Sequence, residues 1–291
     1  MSFESLVEMA ELAKREQKSL FEVILKDDMD TRGVTREQSL EKMRSLWTVM
    51  KKSAADYDGA RRSASGLAGG DAKKYRDYTN TYTALIGEFV SSVMYYALST
   101  AESNACMRCI VAAPTAGSCG VLPAVLIPYA ARYNADDERI AQGLYVAAGI
   151  GQVIATRASI AGAEGGCQAE IGSASAMAAG MLVYLQGGTN EQVLNAAAMA
   201  LKSLLGLVCD PVAGLVEVPC IKRNVIGAVN AVTSADMALA GIESRIPADE
   251  VIDAMKRVGN AMPESLRETA KGGLADTPSG RRIAEKLMGE R

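Results

Sequence analysis

Apolar positions recur at helical spacing along most of the chain. Leu6, Met9, Ala10 and the Leu12–Ala13 pair fall on one face of a first helix, with charged residues between them. Phe21, Val23, Ile24 and Leu25 continue the pattern into the acidic stretch KDDMD. A further helix is predicted over Thr35–Ala55, where Thr35 and Gln38 have the spacing of a capping box. SASGLAGGDAKKY, residues 63–75, reads as a glycine-rich turn leading into a helix. Helical spacing then covers 79–101, 144–161, the small-residue run after Cys167 as far as Leu185, and 193–208. Thr189 and Gln192 offer a second capping box. Helices are also expected from Lys222 to about Ala240 and from Pro247 onward, with a short basic helix at the end. Strand-like alternation is sustained nowhere. The predicted fold class is mainly α: a single helical domain over residues 1–291 with glycine-rich functional loops, 1–60 forming peripheral helices and 61–291 the core.

Composition sharpens this picture. Apolar residues make up 49% and aromatic residues only 5%, with 27 glycines, which suits closely packed helices with small residues at their contacts. A formal charge of −3 leaves no basic excess for phosphates, so nucleic-acid binding is not expected. Two uncharged runs, 110–131 and 171–190, raise a membrane reading. The first is broken by Pro114, Gly117, Gly120, Pro123 and Pro128 and the second is rich in Gly, Ser and Ala, so both fit buried segments better than lipid-facing spans. The start of the chain reads as a charged amphipathic helix rather than a secretory signal, so a cytoplasmic location is expected.

Six cysteines in a reducing compartment are more often ligands, reactive groups or core residues than disulfides. The chain has no histidine, which excludes His-ligated zinc and His-based triads within it. Cys106 and Cys109 form a CxxC without a second CxxC, and read as ordinary cysteines. Lys73 and Lys74 read as a solvated face, with a substrate role as the alternative. APTAGSCG, residues 113–120, gathers hydroxyls and flexible backbone before an apolar helix; it can bind a carboxylate or serve as a tight turn.

Cys167, Cys209 and Cys220 stand out by context. Each sits beside Gly or Pro in a segment of little side-chain bulk, as backbone packed around a metal cluster requires. Their spacing matches neither a zinc finger nor a ferredoxin. Three thiolates on a cubane iron–sulfur cluster would leave one iron open as a Lewis acid.

The motifs CDPVAGLVEVPCIKRN, GGCQAEIGSASAMAA, APTAGSCGVLPAVL, SGLAGGDA and RETAKGGLADTPSGR resemble the α subunit of the iron–sulfur-dependent L-serine dehydratases (L-serine ammonia-lyases). The resemblance runs from about Ser63 to the carboxyl end. It implies a [4Fe–4S] cluster with one open iron site on Cys167, Cys209 and Cys220, and gives no ligand role to Cys106, Cys109 or Cys119. Glu164 departs from the pattern, where a small residue is expected. The implied activity is conversion of L-serine to pyruvate and ammonium through 2-aminoacrylate, without pyridoxal phosphate, in amino-acid degradation and gluconeogenesis. Thr115, Gly117, Ser118, Arg223 and Asn224 are the candidate substrate-binding residues, and Lys222 and Ser118 the candidate catalytic ones. For Lys222 and Arg223 a solvated helix start is the alternative. A β subunit is expected to complete the site and to supply the missing histidine, making a hetero-oligomer. A monovalent cation is a further candidate cofactor. Three alternatives stay open: electron transfer through a four-ligand cluster, a scaffold with structural zinc, and a lyase for another hydroxy acid or hydroxy amino acid.

Overall fold

The computed structural model describes residues 3–289; the ends of the 1–291 domain assignment lie outside the described residues. Thirteen α-helices form the described chain: α1 (Leu6–Glu16), α2 (Leu20–Arg32), α3 (Arg36–Ala55), α4 (Asp71–Thr81), α5 (Gly87–Ala105), α6 (Val121–Tyr133), α7 (Asp137–Arg157), α8 (Gly162–Gly165), α9 (Ser173–Leu185), α10 (Asn190–Lys202), α11 (Cys220–Leu239), α12 (Ala248–Ala261) and α13 (Pro278–Gly289). The mainly α fold class holds. Among the described residues the one β-type pairing outside helices is a parallel bridge between Cys209 and Arg267.

Local chemistry sets many of the boundaries. Both predicted capping boxes form, Thr35 with Gln38 and Thr189 with Gln192, and Ser19 with Glu22 adds a third. α7 begins seven residues before the predicted Leu144 because the Asp136 side chain accepts from Arg139 N at 2.7 Å. The helix predicted over 79–101 is instead two. α4 ends as Tyr82 turns extended, and α5 starts at Gly87, whose φ is 73°. The helix predicted over 193–208 stops at Lys202, and Gly206 at φ 84° turns the chain toward Cys209.

α9 is the centre. Twelve of its residues are buried and α6, α7, α10 and α11 pack around it. A helix apolar on all sides belongs inside a bundle, and its small side chains let the neighbours approach. The N-terminal helices join the same core rather than forming one of their own. Ile24 packs against Gly149 of α7, and the buried Trp47 donates to Asp137 at 2.7 Å. Asp249 of α12 accepts from Leu6 N and Val7 N at 2.8 and 3.1 Å, which ties the start of α1 to the far end of the chain. No described helix is long and apolar enough to cross a membrane.

One buried carboxylate fixes the entry to α4. Glu102 accepts from Tyr57 Oη at 2.5 Å, Asp71 N at 2.7 Å and Ala72 N at 3.2 Å. Glu102→Ala would strand these donors, and is expected to cost about 3 kcal/mol, with two or three donors losing their partner. A lower urea midpoint at unchanged slope would show it; an unchanged midpoint would mean that the cap is dispensable.

Candidate active site and metal centre

Three separate segments bring Cys167, Cys209 and Cys220 to one place. Cys167 follows α8 and opens a π-helical turn, Gln168–Gly172, the kind of helix irregularity that often marks functional positions. The buried Gln168 anchors this turn: its Nε2 donates to Met255 O at 3.0 Å, and its Oε1 accepts from Gly206 N at 2.9 Å. Cys209 is held by the main chain, its N donating to Leu266 O and its O accepting from Glu268 N, both at 2.8 Å. Cys220 is the first residue of α11. The loop between Cys209 and Cys220 folds back on itself through Val212 N to Val218 O, at 2.9 Å. Its Glu217 accepts from Ser63 and Ser65 at 2.9 and 2.6 Å, fastening the SASGLAGG loop to it.

All three thiols are buried, at 2%, 3% and 8% exposure, and none forms a disulfide. Burial pushes Cys167 up to about 12, an effect that Arg223 opposes and the charges of Glu170 and Cys220 reinforce. Burial also raises Cys220, to about 11, and raises Cys209 further still, with Glu170, Cys167, Glu268 and Cys220 adding to it. The three sulfurs thus sit within electrostatic reach of one another. Cys119 differs: burial pushes it to about 12 with no charged neighbour contributing.

Glu170, on the π-helical turn, is a candidate site residue that sequence reasoning missed. Its Oε1 accepts from Thr115 Oγ1 at 2.8 Å, and the Cys209 thiol donates to its Oε2 at 3.8 Å. Burial holds its carboxyl above the usual range; Thr115 opposes the shift and Glu268 adds to it. A Cβ on Gly117 would lie 2.9 Å from Glu170 Oε1, so the APTAGSCG loop packs directly against this carboxylate. The available signal was a single acidic residue three positions after Cys167 in a small-residue segment.

The other candidates separate by direction. Arg223 reaches all three ligand segments. It is three residues past Cys220, donates to Val208 O and to Asp210 Oδ1 at 2.8 Å each, and its charge acts on the Cys167 thiol. Asp210 in turn accepts from Leu274 N at 2.8 Å. Asn224 is buried and committed to backbone. It accepts from Gly120 N at 2.9 Å and donates to Gly117 O at 2.8 Å and Cys220 O at 3.0 Å. It therefore locks the Thr115–Gly120 loop to the first turn of α11. Ser118 is buried and shares a hydrogen bond with Thr115 at 3.1 Å. Lys222 stands apart: its side chain is 58% exposed and pairs with Asp71 at 2.5 Å. Cys106 is buried at the end of α5, and Cys109 is exposed.

No three His, Cys, Asp or Glu side chains among the described residues lie close enough to share a single metal ion. A polynuclear cluster takes each thiolate on a different iron, so its ligands stand farther apart. The donor set fits such a group. Three buried thiols and a carboxyl each disfavour ionisation, and the guanidinium facing them is already shared with Asp210. A cationic metal core would supply the charge that turns these thiols into thiolates.

The chain resembles known proteins over most of its length. A sequence-family model described as serine dehydratase alpha chain matches residues 15–275. A Bacillus subtilis protein named probable L-serine dehydratase, alpha chain, is 47% identical over 287 residues, covering 99% of this chain and 96% of that one. The L-serine dehydratase alpha chain of Peptoniphilus asaccharolyticus is 46% identical over 272 residues, covering 93% of each. An L-serine dehydratase of Streptomyces coelicolor is 39% identical over 276 residues, which span 92% of this chain and 59% of that longer one.

Proposed function

Because the chain belongs to the serine dehydratase alpha-chain family, we propose that it is the α chain of an L-serine ammonia-lyase. The reaction removes water from L-serine to give 2-aminoacrylate, which tautomerises and takes up water to yield pyruvate and ammonium. Cys167, Cys209 and Cys220 would hold a [4Fe–4S] cluster. Bound there with one iron free of protein ligands, it would supply a Lewis acid for the departing hydroxyl, without pyridoxal phosphate.

The chain's own groups take the remaining work. Arg223 ties the Cys209 segment to the start of α11 and sets its charge beside the Cys167 sulfur, the kind of outer contact that orients a ligand and tunes a metal. Asn224 keeps the Thr115–Gly120 loop facing the site. That loop offers the Thr115 hydroxyl and small-residue backbone to the substrate carboxylate. Glu170, oriented by Thr115, can hold or move a proton at Oε2. The observation that carries this reading is the convergence of three buried thiols, Glu170 and Arg223 in a chain of this family.

The Streptomyces relative is much longer than this chain, and the Bacillus and Peptoniphilus relatives are named alpha chains. We therefore assign the chain a companion β subunit that completes the site and contributes the histidine this chain lacks. The test is anaerobic co-purification of both chains, followed by a pyruvate assay on L-serine. Turnover by the complex and little by the α chain alone is expected. A brown complex with a reversible redox couple and no turnover would point to electron transfer instead. Full activity of the reconstituted α chain alone would remove the companion from the catalytic site.

A further inference from the structure

A groove of about 570 Å³ runs between α4, α5 and α11. Its wall is apolar, with Tyr75 and Tyr78 from α4, Met94 and Leu98 from α5, and Val225 and Ile226 from α11. Ile226 is 57% exposed, although Ile221 and Val225 beside it on the same helix are buried. The apolar surface continues beyond the groove. Tyr78 stacks on Tyr82, with ring centroids 5.7 Å apart. The turn from Tyr82 to Gly87 then presents Leu85, which is fully exposed, and Ile86. An apolar surface of this extent marks a contact with another polypeptide.

The inner end of the groove meets the candidate metal centre. Pro219 and Arg223 both line it. Pro219 precedes Cys220 at the start of α11, and the charge of Arg223 acts on Cys167. The rim carries Asp71, Lys74 and Lys222. Both lysines pair with that one carboxylate, at 2.9 and 2.5 Å, which leaves the rim with a net positive charge. In a two-fold contact between copies of this chain the rim would meet itself, lysines against lysines. An apolar segment flanked by acidic residues is the better complement.

We propose that this face, from Leu85 to Ile226, is where the companion β chain docks, with an apolar segment of the companion in the groove and its acidic neighbours on Lys74 and Lys222. A chain seated there lies against Pro219 and Arg223, and so reaches a site that has no histidine of its own. The match to the Streptomyces relative covers 59% of that protein, which leaves further chain to rest on this fold. The inference rests on the two-chain reading and deepens it by placing the contact.

Titration of the purified chain with the companion β chain, followed by sedimentation velocity, tests it. Ile226→Glu and Leu85→Glu each put a charge into the contact without touching the thiols. Each should weaken association about 30-fold or more, and serine turnover should return when excess companion is added. Both residues are exposed, so the helical content and urea midpoint of the chain alone should match the wild type. Ile242→Glu, at a similarly exposed apolar residue beyond the far end of α11, should leave association unchanged. Wild-type affinity in both groove variants, or an equal loss in Ile242→Glu, overturns the placement while the two-chain reading stands. So does a self-associating chain that Ile226→Glu makes monomeric with its affinity for the companion intact, since the face would then belong to a second copy. A wild-type chain that never binds the companion sinks the two-chain reading as well.

Discussion

Cys167→Ala, Cys209→Ala and Cys220→Ala should each abolish serine turnover and the visible absorbance of the cluster in the anaerobically purified complex. Each thiol is buried, and the three lie within electrostatic reach of one another. On the proposed assignment, removing one would leave two protein ligands on a cluster with one iron already open. The fold should survive, because losing one buried sulfur removes an apolar contact worth about 1 kcal/mol. Helical content by circular dichroism should therefore match the wild type. Cys106→Ala and Cys109→Ala should keep both colour and activity. Cys106 closes α5 and Cys109 is exposed, so neither belongs to the convergence. Retained cluster and turnover in any of the first three variants would remove that residue from the ligand set.

Glu170→Gln should lower kcat by about 10²- to 10⁴-fold, the usual worth of a positioned acid–base group, and leave the cluster in place. Glu170 is the carboxylate that meets Thr115, the Gly117 backbone and the Cys209 thiol at once. Gln preserves the shape and one acceptor oxygen, so Thr115 keeps its hydrogen bond. The loss should therefore fall on kcat rather than on protein stability. A near-wild-type kcat with full cluster occupancy would reduce Glu170 to a structural anchor and pass proton handling to the companion chain.

Much of the fold was legible because helix starts are written locally. Thr35 with Gln38 and Thr189 with Gln192 form the reciprocal bonds that their spacing suggested. The ends were harder. The 79–101 pattern stays apolar across the turn at Tyr82–Ile86, so periodicity alone joined two helices that the left-handed Gly87 separates. Cys167, Cys209 and Cys220 stood out by motif context, and Arg223 and Asn224 were named with Lys222, but which of these neighbours turn toward the thiols was not legible. Lys222, Arg223 and Asn224 are consecutive on α11, and about 100° of rotation separates each from the next. Only packing decides which face meets the pocket: Arg223 and Asn224 turn toward it, while Lys222 pairs with Asp71. Glu170 and Glu268 lie 98 positions apart, and their convergence over Gly162 is a product of tertiary structure.

The most direct test of the central claim is the Mössbauer spectrum of the complex, loaded with isotopically enriched iron and recorded before and after L-serine is added. The account predicts a [4Fe–4S] spectrum in which one iron subsite shifts when serine binds and the other three, held by Cys167, Cys209 and Cys220, do not. A spectrum unchanged by serine, or a complex that turns over serine without iron, would contradict it.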